Sequence, residues 1–155
     1  MQKYILVFLI SMLPIIELRG AIPYAHAMGL SLLPAYLVSV IGNLIPVPFI
    51  YFFIMKILNW GKDKKIIGKF CKLIIVKGHN AGQKILNKAG KRGFFLALVL
   101  FIGIPFPGTG AYTGILAASI LDIDFKTSIL AAICGVILAA ILTATLSTGI
   151  FNLLG

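Results

Sequence analysis

Residues 4–29 read YILVFLISMLPIIELRGAIPYAHAMG. The apolar run 4–16 carries Pro14 and stops at Glu17-Leu18-Arg19-Gly20, and a second short apolar piece begins at Ala21. The same design recurs at 94–104, FFLALVLFIGI, which stops at Pro105-Phe106-Pro107-Gly108 before another short piece that ends at Leu121. Each piece has about 11–14 residues, or roughly 16–21 Å of helix. A hydrocarbon core about 30 Å thick is out of reach for any of them. The expected solution is a helical hairpin that enters a membrane, turns at its polar break and leaves by the same face. Residues 30–55 and 127–154 are different, because each is long enough to span.

Composition agrees with a bilayer as solvent. The chain has 155 residues, of which 60% are hydrophobic and only 12% charged, with a mean hydropathy of +1.06. A soluble domain needs far more surface charge, and a disulfide scaffold or disordered chain needs a different alphabet. The net charge of +10 is not spread over the molecule. Eleven of the fourteen basic residues lie from Lys56 to Arg92, where Asp63 is the only acid. Elsewhere Lys3, Arg19 and Lys126 balance Glu17, Asp122 and Asp124. Two neutral apolar blocks thus flank one basic linker, which the positive-inside rule puts in the cytoplasm against anionic inner-leaflet lipid. Nucleic acid is not an expected partner.

The two blocks also resemble each other. RGAIPYAHAMGLS (19–31) aligns without gaps on PGTGAYTGILAAS (107–119), so that Gly20 meets Gly108, Tyr24 meets Tyr112 and Ser31 meets Ser119. Five extra residues in the second half then bring Gly42 onto Gly135. A hairpin adds no crossing and a long helix adds one, so a cytoplasmic linker makes the repeats inverted, with both termini outside. The fold expected is therefore an all-α integral membrane protein in a single membrane domain, 1–155. Repeat 1 covers 1–57, with a re-entrant hairpin at 4–29 and a transmembrane helix at 30–57. A basic cytoplasmic linker of amphipathic helices covers 58–92. Repeat 2 covers 93–155, with its hairpin at 93–121 and its transmembrane helix at 125–154. Four ordinary spanning helices are the alternative, and they would require residues 4–16 to cross alone.

Within the linker, Lys62, Lys65, Lys69 and Lys72 keep helical spacing opposite Ile66, Phe70, Leu73 and Ile74. Gly78-His79-Asn80 is expected to interrupt this helix, and a second one sets Lys84, Lys88 and Lys91 opposite Ile85, Leu86 and Ala89. Both have the form of interfacial helices. Cys71 and Cys134 fall in the linker and in an apolar run, so no structural disulfide is expected. His26 and His79 lack ligand spacing, and neither a metal nor another cofactor is expected. Lys3, the first apolar run and Ala25-His26-Ala27 imitate a signal peptide, but Pro14 and the match to 107–119 argue against cleavage.

Chemistry concentrates at the two breaks. Glu17 is the one carboxylate within an apolar stretch and Arg19 the one cation, and ionisable groups at that depth are functional candidates by default. Two apart on a helix they point away from each other. In a turn bounded by Pro14 and Pro23 they converge, or each meets the second hairpin. Burial and a guanidinium act on a carboxyl in opposite senses, which suits Glu17 to proton exchange. In 104–114, Pro105 and Pro107 leave carbonyls of the preceding turn unpaired. Gly108, Thr109 and Gly110 open a new half-helix whose free N–H groups form an anion site. Gly20 belongs to the first tip, and Asn43 with Pro46 and Pro48 is placed to kink the first long helix toward the site. Asp122 and Asp124 read as a polar turn and an N-cap for the last helix.

Glu17-Leu18-Arg19-Gly20-Ala21-Ile22-Pro23 and Ile104-Pro105-Phe106-Pro107-Gly108-Thr109-Gly110-Ala111-Tyr112-Thr113-Gly114 resemble the paired signatures of the small multidrug export protein family. That family is similar to the wider DedA superfamily. The resemblance covers nearly the whole chain and implies inverted hairpin-plus-helix repeats in a bacterial or archaeal cytoplasmic membrane. The superfamily further implies proton-dependent transport or flipping of polyprenyl-phosphate and related lipids, with acidic and arginine residues at the hairpin tips. This chain departs from that pattern, because its second tip carries no charge. The expected function is a small multi-pass transporter or flippase, proton-coupled, for an amphipathic substrate that is anionic and lipid-linked or drug-like. The alternatives are an uncoupled lipid scramblase and a membrane enzyme acting on lipid phosphates. Four acidic residues are few for the latter, so no catalytic residue is assigned. A homodimer is compatible with so small a chain.

Overall fold

The computed structural model describes residues 2–64, 67–106 and 108–154. All of its regular elements among those residues are helices. The first hairpin pairs α1 (Gln2–Ser11) with α2 (Glu17–Ala27) across the turn 12–16 around Pro14. Glu17-Leu18-Arg19-Gly20, read from the sequence as the break, form the first turn of α2 instead. A long rod follows, formed by α3 (Leu32–Leu44) and α4 (Pro46–Gly61). It breaks formally at Ile45, whose φ of −57° and ψ of −46° are themselves helical. The cause is Pro46 and Pro48, which offer no N–H to the carbonyls of Gly42 and Leu44. Next come α5 (Gly68–Gly103), α6 (Ala111–Ile120) and α7 (Phe125–Leu154).

Among the described residues, Leu32–Gly61 and Phe125–Gly149 are the two helices long and apolar enough to cross a membrane. Their outer surfaces are apolar as well. Leu33, Leu37, Ile41, Ile45, Phe49 and Phe53 form a stripe down one rod, each between 42% and 70% exposed. Water would penalise so large a contiguous patch, whereas lipid tails do not. The opposite faces close a common core in which Leu18, Ile22, Val47, Ile102, Ile115 and Val136 are buried.

Helix packing places each hairpin between the two long elements. α1 lies on α3 and α5 on α7, while the second arms cross over, α2 to α7 and α6 to α4. Two glycines set how closely the first arms approach. A Cβ on Gly42 would collide with Ser11 Oγ and the Phe8 carbonyl, and one on Gly135 with Ile102 and the Val99 carbonyl. The internal alignment matches these two glycines to each other.

The basic linker differs from its sequence reading. Helix continues through Gly78-His79-Asn80, and the break falls instead at Gly90, with φ 63° and ψ −179°. Gly78 and Gly82 are not punctuation: a Cβ on either would strike the backbone carbonyls of Ile120 and Leu121. Their bareness lets the linker helix lie against the end of α6, and that packing offsets their poor helix propensity. Lys65 and Ile66 lie outside the described residues, as does the side chain of Ile85. Asp122 takes the turn, with φ 59°, and meets His79 Nδ1 at 3.1 Å. Asp124 caps α7 by accepting the Thr127 N–H at 3.0 Å, which holds its carboxyl below the usual aspartate range.

The glycine packing yields a matched test. Gly135→Leu is expected to lower stability by about 1–3 kcal/mol through overpacking. Gly149→Leu, where a Cβ meets nothing within 4 Å, should not lower it and should raise it slightly, since leucine is the better helix former. Thermal unfolding in detergent reads both, and an unshifted midpoint for Gly135→Leu would contradict the close approach of α5 to α7.

Candidate functional site

A helix that ends among apolar side chains leaves its last carbonyls in need of partners, and one that begins there leaves N–H groups equally so. Both situations occur at the second tip. α5 stops at Gly103, Ile104 turns extended with ψ 122°, and Pro105 follows. Gly108 (φ 85°) and Gly110 (φ 153°) then take left-handed backbone that favours glycine, and α6 starts at Ala111. Pro107 lies outside the described residues.

The first tip supplies both missing partners. Arg19 Nη1 donates to the carbonyls of Phe106 at 2.7 Å and Thr109 at 2.8 Å. Its Nη2 donates to those of Ile102 at 2.9 Å and Ile104 at 3.0 Å. Both nitrogens also reach Thr109 Oγ1 at 3.1 Å, and that hydroxyl donates onward to Phe106 O at 2.8 Å. A planar fork with several donors suits such a set of divergent carbonyls, as a lysine ammonium does not. Arg19 is therefore the C-cap of α5, delivered from another hairpin.

Glu17 serves the other end. Its carboxylate lies at the N-terminus of α6, where Oε1 accepts the Tyr112 N–H at 3.4 Å. Negative charge is favoured there by the helix dipole. Gly110 makes the approach possible, since a Cβ at that position would overlap the carboxylate. Glu17 itself has φ 52°, a left-handed conformation uncommon outside glycine. A return bond runs from α6, where the Tyr112 hydroxyl donates to the Met12 carbonyl at 3.0 Å. The two charges thus serve opposite ends of one broken helix, and the carbonyls and N–H groups that the sequence presents as open ligand sites are taken by Arg19 and Glu17.

Beside this junction is a cavity of about 510 Å³. Tip 1 lines it with Pro14, Ile15, Ile16, Glu17 and Arg19, and tip 2 with Pro105, Phe106, Gly108 and Thr109. Thr113 of α6 and Thr143 and Leu146 of α7 complete the wall. Of the residues singled out from the sequence, Gly20, Pro23, Gly110 and Asn43 do not line it. Gly20 is crowded by Ile16, and Pro23 sits inside α2. Gly110 backs the carboxylate instead. Asn43 is buried in α3, and its amide has no partner among the described residues.

The sequence reading missed Thr113 and Thr143. The signal was TATLST at 143–148, four hydroxyls in six residues of an otherwise apolar helix. Thr145 and Thr148 bond the carbonyls of Leu142 and Ala144 in their own helix. Thr143 Oγ1 is buried without a partner among the described residues, as is Arg19 Nε. Both belong to residues that line the cavity, which therefore has polar character between apolar walls.

Residues 17–142 match the family described as "Putative small multi-drug export protein". The chain belongs to that family. The match begins at Glu17 and takes in the charged pair of the first tip, the whole second tip, the linker and α7 as far as Leu142. No curated protein and no solved structure matches the chain. Family membership and the two spanning-length helices together make it a membrane protein.

The capping geometry predicts a distinction between charge and shape. Arg19→Lys keeps the charge but cannot fork to four carbonyls, so it should cost about 1.5–3 kcal/mol, close to the cost of Arg19→Gln. Thermal unfolding in detergent compares the two, and a wild-type midpoint for Arg19→Lys would refute the cap.

Proposed function

We propose that this chain is a small export protein that carries an amphipathic substrate through the cavity between its two hairpin tips. The observation that carries the proposal is the placement of Glu17 and Arg19. They are the charges of the apolar body, they join the tips, and they line a cavity. Each caps one side of the tip-2 break and each also faces the cavity, and an ionisable group held in a low dielectric is a functional candidate by default.

In the proposed architecture the hairpins are re-entrant and the halves are inverted repeats. Several features support this reading. α1, α2 and α6 have 10, 11 and 10 residues, or about 15–17 Å of helix. The crossed packing, α2 on α7 and α6 on α4, treats the halves alike. Gly42 and Gly135 do the same job in each. With the basic linker in the cytoplasm, the first tip opens outward and the second inward, as in transporters with broken helices at the midplane. The linker then rests on anionic lipid, with Phe70, Leu73 and Val76 exposed beside its lysines.

Glu17 is the proposed coupling group. Ionised, it holds the N-terminus of α6. Protonated, it loses most of that attraction, and the tips can part while Arg19 exchanges tip-2 carbonyls for substrate. The apolar walls, from Ile15 and Ile16 to Phe106 and Leu146, suit the hydrophobic portion of a drug-like or lipid-linked molecule. The family description favours the drug-like kind, and the uncharged second tip is a departure from the lipid-phosphate pattern.

Two measurements test the proposal. In proteoliposomes, efflux of ethidium and flipping of a fluorescent phospholipid should follow an imposed pH gradient, and Glu17→Gln should abolish that dependence. Flux that persists in Glu17→Gln, with or without a gradient, would identify an uncoupled scramblase. For topology, Ile15→Cys and Phe106→Cys in a background lacking Cys71 and Cys134 should react with a membrane-impermeant thiol reagent from opposite sides. Labelling of both from one side would overturn the inverted hairpins.

A further inference from the structure

We propose that a groove between α5 and α7, at the basic end of the molecule, binds one anionic phospholipid. The site is separate from the tip cavity and does not depend on what that cavity transports. The groove has a volume of about 370 Å³ and is lined by Lys91, Arg92, Phe95, Leu96, Thr127 and Leu130. Its layers follow from the chain. Gly90 breaks α5 with φ 63°, so Lys91 and Arg92 stand at a corner where the next helical segment begins. Phe95 and Leu96 come one turn further along α5, and Leu130 comes one turn beyond Thr127 on α7. Cations and a hydroxyl-bearing residue therefore sit at one end, with apolar side chains one turn deeper. Leu96 and Leu130, 60% and 48% exposed, leave the apolar part open toward the lipid phase.

Charge accounting separates the two cations. Lys91 Nζ already lies 3.3 Å from Asp124 Oδ1, and the Thr127 N–H keeps that aspartate ionised. Arg92 has no carboxylate partner among the described residues: Asp122 is engaged by His79, Glu17 is at the tip, and no ion pair joins Arg92 to Asp63. One guanidinium thus remains unpaired at the mouth of an apolar groove, the complement of a phosphodiester above an acyl chain. A groove between α5 and α6, lined by Phe94, Leu98 and Phe101 among others, has no charged residue in its lining, so it lacks the headgroup half of this arrangement. Soluble phosphate would match Arg92 but leave the apolar walls unused.

Native mass spectrometry of the full chain in a neutral maltoside detergent tests the assignment, with equimolar phosphatidylglycerol and phosphatidylcholine added. The wild type should retain one phosphatidylglycerol in preference to phosphatidylcholine by about fivefold, as expected for one interfacial cation. Arg92→Gln should bring the two lipids to near parity while leaving thermal unfolding in lipid-free detergent unchanged, since Arg92 is exposed. Leu130→Trp, which fills the groove, should reduce retention of both lipids. Equal retention by the wild type, or an unchanged ratio in Arg92→Gln, would overturn the proposal. Displacement of the lipid by millimolar inorganic phosphate, or occupation of the groove by a second copy of the chain, would also overturn it. None of these readouts involves flux, so the site and the transport reading stand or fall separately.

Discussion

Four carbonyls around the break between α5 and α6 converge on one guanidinium. This contact between Arg19 and the carbonyls of Ile102, Ile104, Phe106 and Thr109 is what permits a helix to stop within an apolar body. The bilayer tolerates irregular backbone only where protein satisfies it. Once Arg19 is committed, Glu17 follows two residues away at the opposite end of the break, facing the N-terminus of α6. Tyr112 closes the loop by returning a hydroxyl to tip 1. Neither tip is complete without the other.

That interdependence shapes the rest of the packing. For the tips to meet, the first arm of each hairpin must lie flat on its long helix, and bare glycines at 42 and 135 allow it. The second arms then cross to the opposite long helix, so the hairpins are gripped from both sides. A cavity survives beside the junction because prolines and glycines at the tips bring little side chain to fill it. Removing one partner of a buried charged contact costs more than the contact itself contributes, since the other is left stranded. A conformational cycle that opens the tips must therefore supply new partners, from substrate, proton or water.

The net charge of +10 takes no part in this. It belongs to the linker, whose helix is held by glycine packing on the end of α6 and by two surface pairs, His79 with Asp122 and Lys91 with Asp124. Exposed pairs of this kind contribute little energy, so Gly78 and Gly82 matter more to where the linker lies. The consequence is that a basic surface is attached to the base of the second hairpin and not left free.

Much of the architecture was legible in the sequence. Helix class, the two spanning lengths, the break at Pro105, and the polar turn at Asp122 and cap at Asp124 follow from apolar run length, proline chemistry and capping preference, all local properties. The first break, by contrast, falls at 12–16 and not at Glu17-Leu18-Arg19-Gly20, which open α2. The pair Glu17 and Arg19 also stood out, because a charge among apolar residues is visible without a fold. Local reading failed at Gly78, taken for a break although it serves a close contact, and at Thr143, whose hydroxyl looked like its neighbours in TATLST. It also read the ends of tip 2 as vacant. Only the tertiary structure decided that Arg19 and Glu17 fill them, since those partners are more than eighty residues away in sequence. Sequence determines where a backbone group is left unpaired. Which group satisfies it depends on what the fold brings within about 3 Å.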